Sequence, residues 1–366
     1  MTGMKYIDEF RDKDLVNRVR RQIEKNATGT YTFMEVCGGH TAAIRRFGIP
    51  SLIPSSISLI SGPGCPVCVT GTEYIDRLCA SSLMENVIIT VFGDLMRIPG
   101  TRGVSLKKMK QDGADVRIIF SSLDALDIAR RDTDKTVIFA AIGFETTAPG
   151  TAVTILQAYK EKIDNFLVLS AHKIMPPAME TILRQGTGIN GFICPGHVSV
   201  ITGSEAFGFI PENYGTACVI TGFEPSDILL SVLMLIEQVN SGKPSVRNAY
   251  GRAVTSKGNL IAQRAMEEVF RIHDAEWRGL GIIPASGLSP MGKYERFDAS
   301  VVIPVSVNPS SETNGCICGE ILRGLKKPPE CKLFSGACTP ENPVGACMVS
   351  DEGACNAWYK YGEMYG

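Results

Sequence analysis

Eight short apolar, β-branched runs recur along the first two thirds of the chain. They are 32–36 (TFMEV), 57–61 (ISLIS), 87–93 (VIITVFG), 116–120 (VRIIF), 136–143 (TVIFAAIG), 166–171 (FLVLSA), 191–195 (GFICP) and 217–221 (ACVIT). Successive runs begin 20 to 30 residues apart, the length of a βα unit. Buried parallel strands read as such continuous apolar runs. The pattern predicts two parallel-sheet α/β domains of four strands each, 31–135 and 136–245, divided near RRDTDK.

The segments after these runs are polar and rich in Gly and Pro: CGGHT, GPGCPVC, DLMRIPG, then FETTAPG, HKIMPP, GHVSVITG and GFEP. Ligands of open parallel sheets bind outside the carboxyl ends of the strands. The residues with chemical potential are therefore expected on shared sheet edges, which would flank a cleft if they faced each other. A charged, helix-patterned segment, 1–30, precedes the first run and is expected to pack on the C-terminal domain. The region 246–366 breaks the rhythm. Its stretch 258–279 (GNLIAQRAMEEVFRIHDAEWRG) reads as one amphipathic helix, and a loop-rich, proline-rich tail comes after it.

The chain has 37 basic and 38 acidic residues and no long block of one sign, which gives no electrostatic reason for a nucleic-acid or membrane-surface partner. The start of the chain has no signal-peptide core, and the most apolar run, 228–239, is too short to cross a bilayer. A cytoplasmic protein is expected. In a reducing compartment, twelve cysteines point to metal binding or catalysis before structural disulfides.

Six of the twelve lie in the last 51 residues: Cys316, Cys318, Cys331, Cys338, Cys347 and Cys355. The spacing is C-x-C, then gaps of twelve, six, eight and seven residues. Zinc ribbons use paired C-x2-4-C knuckles, absent here, and no His accompanies these thiols. Irregular all-thiolate spacing fits a [4Fe–4S] cluster better than zinc or disulfides, and bound metal would help to fold a tail with little apolar core. Cys316, Cys331, Cys338 and Cys355 are assigned as its four ligands. Cys318 and Cys347 remain as a pair beside it, either redox-active or structural.

Three further thiols sit near the front. Cys65 and Cys68 form a C-x-x-C at a strand-to-helix turn, which suits a redox dithiol, a metal site or a packed turn. A helix starting near Thr70 to Thr72 would aim its N–H dipoles at them and lower a thiol pKa. Cys37 comes after the first run beside two glycines, with His40 three residues on, able to ligate, hydrogen-bond or move a proton. Together Cys37, Cys65 and Cys68 would make a soft site for iron. Cys79, Cys194 and Cys218 read as core. Glu145 is a candidate acid, base or helix cap, and His172 and His197 are loop residues of either catalytic or structural use. Arg97 and Arg102 are candidates for an anion or a second subunit.

The motifs MEVCGGHT, GPGCPVC, GFETTAPGTA, PGHVSVITG and GACMVSDEGAC, in this order, resemble those of the HypD family of hydrogenase maturation proteins along essentially the whole chain. That family usually continues CGGHTH, where this chain has Ala42. The resemblance implies a scaffold, rather than a stand-alone turnover enzyme, on which the Fe(CN)2CO group of [NiFe]-hydrogenases is assembled with a HypC-type chaperone and a HypE-type cyanide donor. It implies that Cys37 holds iron jointly with a HypC thiolate, and that Cys65 and Cys68 are a redox dithiol or further iron-site thiols. It also implies two α/β domains with a C-terminal iron–sulfur domain, whose surroundings resemble those in ferredoxin:thioredoxin reductase. The alternatives are a cluster-dependent protein disulfide reductase and a zinc-stabilised binding protein.

Overall fold

The computed structural model describes residues 10–186, 188–307 and 315–362. Each of the eight apolar runs is a strand: β1 (Tyr31–Glu35), β2 (Ile57–Ser61), β3 (Val87–Val91), β4 (Val116–Ile118), β5 (Thr136–Gly143), β6 (Phe166–His172), β7 (Gly191–Cys194) and β8 (Ala217–Ile220). A ninth, β9 (Val246–Asn248), has one apolar residue in VRN and so no apolar run to mark it in the sequence. All nine lie in two parallel sheets, of order β2-β1-β7-β8-β9 and β4-β3-β5-β6. The fold is α/β, with helices covering both sheets.

The strands do not divide in chain order at residue 135. β1 and β2 open the five-stranded sheet, the chain builds the whole four-stranded sheet from β3 to β6, then returns so that β7 pairs with β1. β5, expected to open the second half, lies between β3 and β6. The reason is local: a buried apolar run fits any interior strand position, so its composition carries no information about its partner.

Helix α1 (Lys13–Asn26) packs along the helix Pro225–Ser241, through a core that includes Val19, Ile23, Val232 and Ile236, where the sequence suggested the C-terminal region. The helix expected over 258–279 ends at Val269. Beyond it, β10 (Phe270–Trp277) pairs antiparallel with β11 (Gly281–Pro290). The run FRIHDAEW holds aromatic and β-branched residues suited to a strand. Its amphipathic look at helical period was misleading, because Trp277 turns inward to complete burial, with its indole N–H donating to Ser286 Oγ at 2.9 Å.

The cysteine-rich tail is held by contacts with the rest of the protein. Arg97, which ends a 3-10 turn after β3, donates to the carbonyls of Pro340 and Val349 at 3.2 and 3.0 Å, so it pins the tail and is committed to it. The Arg45 guanidinium stacks 3.6 Å from the Trp358 ring centre. Among the described residues, no helix is long and apolar enough to cross a membrane.

Candidate functional site

Cys37 stands at the carboxyl end of β1 and caps helix α2 (Gly38–Arg46) in extended conformation. The first N–H groups of that helix, from Gly39 and His40, point at its sulfur. Burial nevertheless dominates. With the nearby Glu352 charge it pushes the Cys37 thiol up to about 12, so the thiol form is favoured. Glu35, two residues earlier, is a carboxyl in an apolar strand. It accepts from the Cys37 N–H at 3.1 Å and the Thr41 hydroxyl at 2.5 Å, and burial raises it to about 8. The acid inside TFMEV was the signal that could have marked Glu35 in the sequence.

His40 is fully buried and neutral, lowered to about 4 by desolvation. Its Nε2 lies 2.9 Å from the Gly222 carbonyl and so carries the proton, leaving the Nδ1 lone pair without a hydrogen-bond partner. The ring stacks on one side of Phe223 at 4.5 Å and His197 stacks at 4.1 Å, so the loops after β1, β7 and β8 share one wall.

The loop GPGC after β2 lies directly on the Cys37 turn. A Cβ on Gly64 would sit 2.1 Å from the Cys37 nitrogen, and the Gly38 N–H donates to the Gly64 carbonyl at 2.9 Å. This close backbone contact brings Cys65 beside Cys37. Cys65 caps the short helix α3 (Pro66–Val69), its sulfur accepting from the Cys68 N–H at 3.3 Å, and helix α4 (Thr72–Ser81) comes next. The thiol lowering expected at this turn is not found at Cys68. That group is fully buried, and desolvation drives it well up, outweighing any dipole.

The tail closes over the same turn. The Cys68 N–H donates to Cys65 Sγ at 3.3 Å and its Sγ reaches the Ala346 carbonyl at 4.0 Å, next to Cys347; the thiols of Cys68, Cys347, Cys318, Cys316 and Cys355 lie near enough to perturb one another electrostatically. Cys316, Cys318, Cys331, Cys338, Cys347 and Cys355 all line one pocket. Contact with Cys318 and then burial raise the Cys316 thiol. Arg278, at the tip of the β10–β11 hairpin, lines the adjoining pocket with Cys316 and Cys318. It is anchored by the Thr70 and Pro99 carbonyls at 2.9 Å each, placing a buried positive charge against the sulfurs. No sequence signal marks Arg278, because only tertiary packing brings it to the tail.

The donor chemistry of this pocket, six thiols with no imidazole or carboxylate lining it, fits an iron–sulfur cluster. Among the described residues no three His, Cys, Asp or Glu side chains are gathered about one point as a metal centre, and the pocket holds about 10 Å³ of free space. All twelve cysteines are free thiols. Cys79, Cys194 and Cys218 are core residues, the last two in contact across β7 and β8.

Glu145 accepts from the Met175 N–H at 3.0 Å, capping the helix Met175–Arg184 rather than the one next to it in sequence. Burial raises its carboxyl to about 7. Between pH 4.5, its ordinary value, and about 7, the folded chain keeps a proton that the unfolded chain loses, so stability falls as pH rises through that window. Glu145→Gln removes this dependence. In urea unfolding the variant gains on the parent by up to about 3 kcal/mol between pH 5 and pH 8, from 1.36 kcal/mol per unit. A constant difference across that range would show that Glu145 does not titrate there.

The family description "HypD: Hydrogenase formation hypA family" matches residues 12–362. The chain belongs to the HypD family. The hydrogenase maturation factor HypD of Cupriavidus necator is 46% identical over 371 residues, covering 99% of this chain and 98% of that protein. The Escherichia coli hydrogenase maturation factor HypD is 41% identical, with 98% of each chain covered. A putative hydrogenase expression/formation protein of Methanocaldococcus jannaschii is 42% identical, with 95% of each covered. The HypD likeness thus spans bacterial and archaeal relatives and includes both the Cys37 turn and the cysteine-rich tail.

Proposed function

We propose that this chain acts in the maturation of [NiFe]-hydrogenases, as the scaffold on which iron receives its cyanide and carbonyl ligands. Iron is cargo here, held at Cys37 jointly with a thiolate of a HypC-type chaperone, and cyanide comes from a HypE-type donor. The observation that supports this reading is the run of contacts from Cys37 through Gly64 to Cys65 and Cys68, and from the Cys68 sulfur to the Ala346 carbonyl beside Cys347. Three segments distant in sequence place sulfur around one buried turn.

Each residue then has a task. Cys37, pushed up to about 12 in its empty thiol form, gives its proton away on taking a soft cation and binds as thiolate. His40, kept neutral by burial, offers the Nδ1 lone pair as a hydrogen-bond acceptor. Cys65 and Cys68 can close to a disulfide with release of two electrons and two protons, or reopen as thiols able to ligate. Cys316, Cys331, Cys338 and Cys355 would hold a [4Fe–4S] cluster, with Cys318 and Cys347 as the neighbouring pair; region 246–366 would be its domain. When bound, such a cluster supplies one-electron transfer beside the dithiol. The shell of buried groups around Cys37 keeps water from the iron ligands.

The closeness of Cys68 to Cys347 also favours a second reading, a cluster-dependent disulfide reductase, since thiol–disulfide exchange needs sulfurs in reach of each other. Infrared spectroscopy separates the two. The chain, co-produced anaerobically with HypC- and HypE-type partners, is expected to carry bands of bound cyanide and carbon monoxide, and Cys37→Ala is expected to lose them. A parent protein without such bands, yet able to reduce a protein disulfide, would replace the scaffold by the reductase.

A further inference from the structure

A cavity of about 570 Å³ opens between α4, the carboxyl end of β6 and the β10–β11 hairpin, and no cysteine lines it. Its size is that of a small-molecule site, and it lies at the end of a parallel strand, where ligands of α/β sheets bind. Lys173, just beyond β6, lies at its buried end, only 4% exposed. The Lys173 ammonium donates to the Glu276 carbonyl and faces the Trp277 ring at 5.3 Å. An ammonium has three N–H donors, and a buried charge is costly without a full set of partners.

Three of the four acids of the lining are engaged elsewhere, and the fourth, Glu276, offsets part of the Lys173 charge. Glu73 pairs with Arg77, Asp274 accepts from the Ala285 N–H, and Asp298 caps the Ser300 N–H. The Glu276 carboxylate packs against Gly71, where a Cβ would meet it at 2.1 Å. Burial lowers Lys173 to about 8, with Glu276 opposing, which marks a positive charge whose surroundings compensate it only in part. Arg271 and Arg77, both partly exposed, stand at the rim.

We propose that this cavity is a second ligand site, separate from the thiols, which takes a small metabolite by an oxyanion group, carboxylate or phosphate, with Lys173 as its counter-charge. Such a group completes the donor set of the ammonium at the dry end and leaves the rest of the molecule against Ser289, Arg271 and the hairpin. The site owes nothing to the iron chemistry and survives its failure.

Reductive methylation of the full chain by formaldehyde and cyanoborohydride, read residue by residue by mass spectrometry, tests it. Malonate and inorganic phosphate are titrated separately at constant ionic strength. At saturation one of them slows methylation of Lys173 about tenfold or more, as occupancy protects the amine, and leaves exposed Lys107 unchanged. Protection by malonate identifies a carboxylate site, and protection by phosphate a phosphate site. No protection by either, or equal slowing at Lys107, overturns the proposal. Calorimetric binding of the protecting anion is expected to vanish in Lys173→Met; should that variant fail to fold, protection in the parent protein still decides.

Discussion

Cys331→Ala is expected to abolish the visible absorption and the bound iron and sulfide of the tail, while Cys65→Ala keeps both and loses maturation activity. The expectation rests on where the two sulfurs lie. Cys331 lines the six-thiol pocket and is one of the four thiols assigned to hold the cluster. If the tail holds the proposed cubane, loss of one thiolate would expose it to solvent and release it, and the tail would lose the free energy that the metal would contribute. Cys65 touches Cys68 but is not among the residues lining that pocket. Its removal would end the proposed dithiol chemistry at the Cys37 turn and spare the tail.

Cys68 is the informative intermediate. Its sulfur lies beside the Cys347 segment, reaching the Ala346 carbonyl at 4.0 Å, so Cys68→Ala should shift the absorption or potential of the proposed cluster without removing iron. Anaerobic purification, iron and sulfide analysis and visible spectra read all three variants. Loss of iron from Cys65→Ala equal to that from Cys331→Ala would merge the two sites into one and defeat the separation of roles.

The residues proposed to carry this chemistry stand out in the sequence because they punctuate it. CGGHT and GPGCPVC interrupt apolar runs, and such interruptions at strand ends are where a parallel sheet places its ligands. The eight strands were legible for the same reason. Their partners were not: β5 beside β3 and β7 beside β1 depend on which crossover the chain takes, and one buried run looks like another. The hairpin was missed because an eight-residue run buried at its two ends, Phe270 and Trp277, shows no clear strand alternation, and Trp277 is fixed by contacts with Phe144 and Ser286 that no local pattern encodes. Arg278 and Glu352 were missed likewise. Each is an ordinary charged residue until the tail folds back, Arg278 onto Cys316 and Glu352 onto Gly38.

That dependence on backbone contact makes Gly64→Ala the sharpest test of the site as a geometry rather than a collection of thiols. The added methyl would lie 2.1 Å from the Cys37 nitrogen, 2.3 Å from the Val36 carbonyl carbon and 2.4 Å from the Cys37 Cα. These are backbone atoms of β1 and its turn, with no flexible side chain to yield. The GPGC loop must retreat, taking Cys65 and Cys68 with it and stretching the bond from the Gly38 N–H to the Gly64 carbonyl. Overpacking of this kind costs about 1–3 kcal/mol. Gly93→Ala is the matched control: nothing lies within 4 Å of its Cβ, so it is expected to change stability by no more than about 0.5 kcal/mol. Urea unfolding reads the difference, while titration of unfolded protein confirms that all twelve thiols remain. The infrared bands of iron-bound cyanide and carbon monoxide should then fall in Gly64→Ala and persist in Gly93→Ala. Parental stability and bands in Gly64→Ala would mean that the two loops need not touch, and that Cys37 takes iron without the neighbours this fold gives it.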